Sequence, residues 1–379
     1  MEGSERVATQ TRTVKKRLTV IEDDVRDAVM RVLEREPYYA GPEQEAFERE
    51  LASYSDAAYG VAANSGTSCL LLALMAMGIG DGDEVIVPTN TFVSVPEAVV
   101  WLGATPVFSD VELDGNMSVD IVERALTPRT KAIIPVHMFG HPVDMEPIMA
   151  LARERDLWVV EDAAHALGAR YQGRRVGALG HVGFFSFAGK SITVCGQAGM
   201  AVTDDPELAT AMADIRVHGW KQRRGNVWHE SERLGLNLRT SEILCAIGRA
   251  HLGKLDRWTA ARRANAERLS ALLAERAPWV VLPETRPDQE PGWLHYVIRT
   301  PDRDGLQAHL EERGISTGIH YPVPLHRQAT FAPYAPGPEH FPVTERLCSE
   351  LLTLPSHPWL EDDDLVYVAD TIASYRAQA

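Results

Sequence analysis

Apolar positions along the first part of the chain recur at helical spacing. "VIEDDVRDAVMRVLERE" and "PEQEAFERELASY" each put one apolar stripe on an otherwise polar helix, the second through Phe47, Leu51 and Tyr54. From residue 60 the rhythm changes to short apolar runs separated by helix-like segments. The runs "EVIV" (84–87), "TPVF" (105–108), "KAIIPV" (131–136), "LWVV" (157–160) and "GFFSF" (183–187) are rich in β-branched and aromatic residues. Between them "TSCLLLALMAMG", "SVPEAVVWLG" and "MEPIMALARERD" read as helices. Strands that are apolar throughout, alternating with helices, predict βαβ units and a mostly parallel sheet covered on both faces. The stretch 241–277 reads as one long helix leading out of this unit. "TRPDQEPG" is then a loop, and "HYVIRT", a helix near 304–313 and "ISTGI" predict a smaller α+β unit. The expected division is an N-terminal arm and helices (1–55), a large α/β domain (56–255) and a small C-terminal domain (256–379).

Composition narrows the class. The chain has 379 residues, 45% hydrophobic and 24% charged, with a formal charge of −15. It carries no basic block beyond pairs such as Arg223-Arg224, which disfavours a phosphate-contacting nucleic-acid face. Four scattered cysteines without a CxxC pair argue against a zinc site and fit a reducing cytoplasm. The polar start "MEGSERVATQTRTVKKRL", read as a flexible arm, lacks a signal core, and no apolar run is long enough for a membrane span.

Candidate chemistry gathers at the strand ends, where open α/β sheets bind ligands. "GIGDGD" (78–83) is not such a site. It follows a helix and precedes a strand, the reverse of a dinucleotide fingerprint, and reads as a helix stop and turn. "ANSGTSCLLLAL" sets Ser65, Gly66 and Thr67 ahead of an apolar helix, suited either to cradle an anion or simply to cap the helix. Phe92 follows the strand 84–87, either as a flat wall for a planar ligand or as a core residue. "LWVVEDAAHALGA" ends an apolar strand in Glu161-Asp162 and brings His165 close behind. A carboxylate at a buried strand tip needs a cation or donor, unless Asp162 caps a following helix. "SFAGK" puts Ser186 and Lys190 at the end of the next strand. Lys190 is the only charged residue from Gly183 through Thr203, a setting in which an amine is either paired or used in its neutral form. An anion cradle, a flat aromatic, a strand-end aspartate and a secluded lysine together form a set of parts for pyridoxal 5′-phosphate. His137 and His141 of "HMFGH" lack a carboxylate at helical spacing to complete a metal site.

These segments, with "GDEVIVPTNTFVSVPEAVVWLGATPVFSDV", "PVHMFGHPVDM", "VVEDAAHALGARYQGRRVGALG", "FFSFAGK" and "LGLNLRTSEI", closely resemble the DegT/DnrJ/StrS sugar aminotransferases, fold-type I enzymes dependent on pyridoxal 5′-phosphate. The resemblance runs from about residue 20 to the C-terminus. It implies that Lys190 is the Schiff-base lysine and proton shuttle and that Asp162 pairs with the pyridinium nitrogen. Phe92 would stack on the ring, with His165 beside it, and Gly66, Thr67 and Ser186 would bind the phosphate. Asn237 of "GLNLR" would reach the phosphate of a neighbouring subunit, so that a homodimer forms the active sites. The implied reaction moves an amino group from L-glutamate or L-glutamine to a nucleotide-linked keto-sugar or a keto-cyclitol, in amino-sugar or antibiotic biosynthesis in the cytoplasm. The lysine sets the chain apart from the family's sugar dehydratases, which carry histidine there; a non-catalytic regulator on the same fold is the other alternative. One departure stands out: Gly196-Gln197-Ala198-Gly199 replaces the family's glycine-flanked acidic residue. In "GISTGIHYPVPLHRQ", His320, Tyr321 and His326 are candidates for substrate contact or for structural hydrogen bonding.

Overall fold

The computed structural model describes residues 12–16, 20–35, 37–220 and 231–376; most of the N-terminal arm and the Arg223-Arg224 pair lie outside them. In chain order the helices are α1 (Asp23–Leu33), α2 (Pro42–Tyr54), α3 (Gly66–Ala76), α4 (Ser94–Trp101), α5 (Val119–Ala125), α6 (Met145–Arg155), α7 (Pro206–Ile215), α8 (Glu242–Leu252), α9 (Leu255–Arg276), α10 (Arg303–Glu312), α11 (Pro342–Glu350) and α12 (Asp362–Arg376). The strands are β1 (Tyr59–Ala63), β2 (Glu84–Pro88), β3 (Thr105–Ser109), β4 (Thr130–Ile133), β5 (Trp158–Asp162), β6 (Arg170–Tyr171), β7 (Arg174–Arg175), β8 (Val182–Ser186), β9 (Gly199–Thr203), β10 (Gln289–Glu290), β11 (Tyr296–Arg299) and β12 (Leu351–Leu354). None of the described helices is long and apolar enough to cross a membrane.

The main sheet has seven strands in the order β1-β9-β8-β5-β4-β2-β3. Only β9 runs against the rest, pairing antiparallel with both β8 and β1. Side chains alternate between two apolar layers, as the period of a strand requires. Ile86, Val159 and Phe185 pack on one face with Phe47, Leu51, Ile148 and Trp258. Val85, Val160 and Phe184 pack on the other with Leu70, Val99 and Met212. Burial on both faces explains why these strands read as unbroken apolar runs. A second sheet, β11 with β12, has its own apolar cluster, in which Tyr296, Ile298, Leu352 and Leu354 meet Leu269, Leu273, Leu306 and Val368 from α9, α10 and α12.

Three sequence expectations are corrected. The helix expected over 241–277 is two, parted at Gly253 and Lys254. Glycine is among the weakest helix formers, and Lys254 turns aside to pair with Glu22 and Asp24 at 3.0 and 2.6 Å. "ISTGI" forms no named strand, only isolated bridges through Ile315 and Gly318, and the partner of β11 comes instead from 351–354. Strands β1 (YGVAA) and β9 (GMAVT) lie outside the five apolar runs. Their small residues weaken the β signal.

Candidate active site

Six strands of the main sheet point their carboxyl ends the same way, and a cavity of about 250 Å³ opens there. Its wall includes Ser65, Gly66 and Thr67, then Phe92, Asp162, His165, Ser186 and Lys190. Every cofactor-site candidate that the sequence reading assigns to one chain therefore borders one space, as does Tyr321, whereas His320 and His326 do not.

Register explains how they meet. Gly199 at the start of β9 lies opposite Ala63 of β1 and Ser186 of β8, which sets the start of α3 directly beside Ser186. The approach is so close that a Cβ on Gly66 would stand 2.9 Å from the Ser186 Cβ, and one on Gly199 would stand 2.6 Å from the Ser65 carbonyl oxygen. Ser65 caps α3 by accepting the Ser68 N–H at 3.1 Å. The N–H groups of Gly66 and Thr67 precede that bond and lie at the cavity wall, where the helix dipole favours an anion.

Asp162 closes β5. Its backbone is held on both sides, donating N–H to the Pro135 carbonyl at 2.9 Å and accepting from the His137 N–H at 3.0 Å. It caps no helix, because a turn follows, but its Oδ1 accepts the Ala164 N–H at 2.9 Å. Burial pushes its carboxyl up to about 6, against the pull of that N–H, of Lys190 and of His137. Part of its acidity is thus withheld by lack of water, and a buried cation at the cavity would restore it.

The adjacent Glu161 has a different role. One step along the strand reverses the side chain, so it faces away from the cavity. It takes His137 Nε2 at 2.9 Å and the N–H groups of Gly177 and Leu179 at 2.8 and 2.6 Å, as well as that of Gly180. Burial raises its pKa, but His137 and the amides outweigh burial and hold it below the ordinary range. Because His137 Nδ1 accepts the Val143 N–H at 2.9 Å, Nε2 carries the proton toward Glu161. His137 is therefore committed to a structural network.

Phe92 is 52% exposed, which corrects the core alternative; its ring stands 6.1 Å from that of Tyr321, another wall residue. His165 is buried, edge-on to His295 at 4.9 Å, and His295 stacks on His320 at 4.1 Å. His320 bonds Thr353 Oγ1 at 3.0 Å. His326 is structural, held between Thr89 Oγ1 at 2.8 Å and Glu345 Oε1 at 2.6 Å. Asn237 does not border this cavity; it is exposed and accepts from Arg239 Nε at 3.0 Å. Gln197 does border it, and Ala198 is not among the residues of positive φ, so the alanine fits where a glycine was expected. Thr91, Ser94 and Val136 complete part of the wall. Nothing in their local sequence marked them.

The donor set suits pyridoxal 5′-phosphate: N–H donors at a helix start for a phosphate, a buried carboxylate for a protonated ring nitrogen, an exposed aromatic face and an amine. The fold is that of a fold-type I enzyme dependent on pyridoxal 5′-phosphate. A sequence profile of the DegT/DnrJ/EryC1/StrS aminotransferase family matches residues 19–373, and the chain belongs to that family. It is 43% identical over 352 residues to a dTDP-3-amino-3,4,6-trideoxy-alpha-D-glucose transaminase of Streptomyces venezuelae, covering 92% of this chain and 91% of that protein. It is 41% identical to the erythromycin biosynthesis sensory transduction protein EryC1 of Saccharopolyspora erythraea, covering 93% and 95%. The crystal structure of S. venezuelae DesV in complex with a ketimine intermediate superimposes with a TM-score of 0.89 at 41% identity, covering 93% and 94%.

Proposed function

We propose that the chain moves the amino group of L-glutamate or L-glutamine onto the ketone of a nucleotide-linked sugar, within amino-sugar or antibiotic biosynthesis. The observation that carries this reading is the meeting of Lys190 and Asp162 at one cavity beside the start of α3. The name of the S. venezuelae relative supports a dTDP-linked acceptor; a keto-cyclitol is the other acceptor of the same chemistry. Pyridoxal 5′-phosphate supplies an electron sink for the carbon that loses its proton. Gly66, Thr67 and Ser186 would hold its phosphate, Phe92 its ring face and Asp162 its ring-nitrogen proton, with His165 alongside. Lys190 would attach it and then carry the proton to and from the substrate carbon. Asn237 would serve the cavity of a second copy. That assignment, and with it a homodimer, is supported by its exposure away from its own cavity and by Leu234, 90% exposed, close by in sequence. Unpaired cysteines at 69, 195, 245 and 348 support a cytoplasmic setting. The large unit would span 56–255 and the small one 256–379.

Borohydride reduction of the cofactor-loaded protein, followed by peptide mass analysis, tests the assignment. The label is expected on Lys190 and is lost in Lys190→Ala, whose transfer activity falls by roughly 10²–10⁴-fold. Label on another lysine would overturn the reading. Release of ammonia and a deoxy product without turnover of an amino donor would replace transfer by dehydration. The similarity to EryC1, named a sensory transduction protein, adds one further arm: promoter DNA retarded in a gel, with no amino transfer, would favour a regulator.

A further inference from the structure

The loop that carries Lys190 has a second cavity, of about 70 Å³, between it and α9. Lys190 borders both spaces. In a chain with a formal charge of −15, the described wall of this second cavity holds Lys16, Lys190, Arg262, His251 and His357 and no carboxylate. Arg262 is 5% exposed. Its Nη2 donates to the Ser191 carbonyl at 3.1 Å, while its Nη1 is buried without a partner. Burial pushes this guanidinium down to about 10, against the pull of the Tyr54 phenol. Three further wall residues leave buried polar atoms unbonded: Trp258 at Nε1, Ser191 at Oγ and His251 at Nε2. His251 gives its Nδ1 proton to the Thr193 carbonyl at 2.7 Å, so its Nε2 holds a lone pair until it is protonated. The acids nearest His251, Glu22 and Asp24, are engaged by Lys254 at 3.0 and 2.6 Å.

Buried polar groups are almost always bonded, and a buried charge is almost always paired. Water could bond these donors, but it would leave the guanidinium uncompensated. We propose that this cavity binds one small oxyanion, held by Arg262 Nη1, Trp258 Nε1 and Ser191 Oγ. The space suits a tetrahedral inorganic ion or a single carboxylate group and is too small for a nucleotide. The site is independent of the assignment of Lys190 as the cofactor's lysine, because none of its three donors belongs to the cofactor cavity.

The test is calorimetric titration of the full chain, saturated with pyridoxal 5′-phosphate so that the α3 cradle is filled, with sodium sulfate and separately with sodium acetate at fixed ionic strength. One saturable site per chain is expected for at least one of the two ions. Sulfate alone would identify an inorganic oxyanion, and acetate would identify a carboxylate. Trp258→Phe keeps the aromatic bulk and removes one donor, and should weaken binding about tenfold. Arg262→Gln should abolish it. Circular dichroism confirms that each variant is folded, and Trp258→Phe keeps the test open if Arg262→Gln is not. No saturable heat from either ion, or binding unchanged in Trp258→Phe, would overturn the proposal.

Discussion

Replacing Asp162 by asparagine should stabilise the cofactor-free protein while weakening its hold on the cofactor. The carboxyl is 6% exposed and its pKa is pushed up to about 6 by burial, even with Lys190 and His137 drawing it down. A rise of about two pH units over the ordinary aspartate value of about 3.9 corresponds to ~3 kcal/mol. Because the folded pKa is the higher one, the penalty is absent below about pH 4, grows as the pH climbs toward 6, and is complete above it. Asparagine keeps an oxygen to accept the Ala164 N–H, now bonded at 2.9 Å, and carries no charge to bury. Denaturant unfolding of both cofactor-free proteins between pH 4 and 8 should show near-equal stability at pH 4 and an advantage for Asp162→Asn approaching ~3 kcal/mol at pH 7. Adding pyridoxal 5′-phosphate should reverse the order, because only the carboxylate can offset a protonated ring nitrogen. A variant that is less stable than wild type by the same amount at every pH would refute the claim that burial penalises this group.

Other substitutions probe the rest of the site. Gly66→Ala places a Cβ 2.9 Å from that of Ser186; cofactor dissociation measured by equilibrium dialysis should rise tenfold or more, for a strain of about 1–3 kcal/mol. Phe92→Ala removes an exposed ring and should weaken cofactor binding by about 1 kcal/mol, roughly fivefold, with unfolding free energy unchanged within ~0.5 kcal/mol. Glu161→Gln strands donors of the buried His137 and backbone network and should cost about 3–5 kcal/mol at neutral pH. The pKa of Glu161 is held below the ordinary range, so its contribution is present above the ordinary glutamate value and is lost as the pH falls through the depressed one. The cost of the variant, measured by denaturant unfolding, should therefore shrink in acid.

Much of this protein was legible one residue at a time. Five strands of the parallel core announce themselves as apolar runs because both of their faces are buried. The chemistry is readable because a lysine beside Phe187 and Ile192, or an aspartate after Val159 and Val160, is costly without a purpose. Whether those groups meet was decided only by the tertiary structure. Pairing of β5 with β8 places Asp162 opposite Phe184, and the antiparallel β9, whose small residues carried little signal, brings Gly199 and the start of α3 against Ser186. Strand alternation separated Glu161 from Asp162, two neighbours that look equivalent in the text of the chain. Tyr321 reached the cavity from a distant segment, Asn237 stayed outside it, and Arg262 came to lie behind the lysine loop. Local sequence carries burial and propensity, which are properties of single residues and short periods. Strand order and loop approach are long-range, set by how two apolar faces are covered at once, and no short stretch of chain contains them.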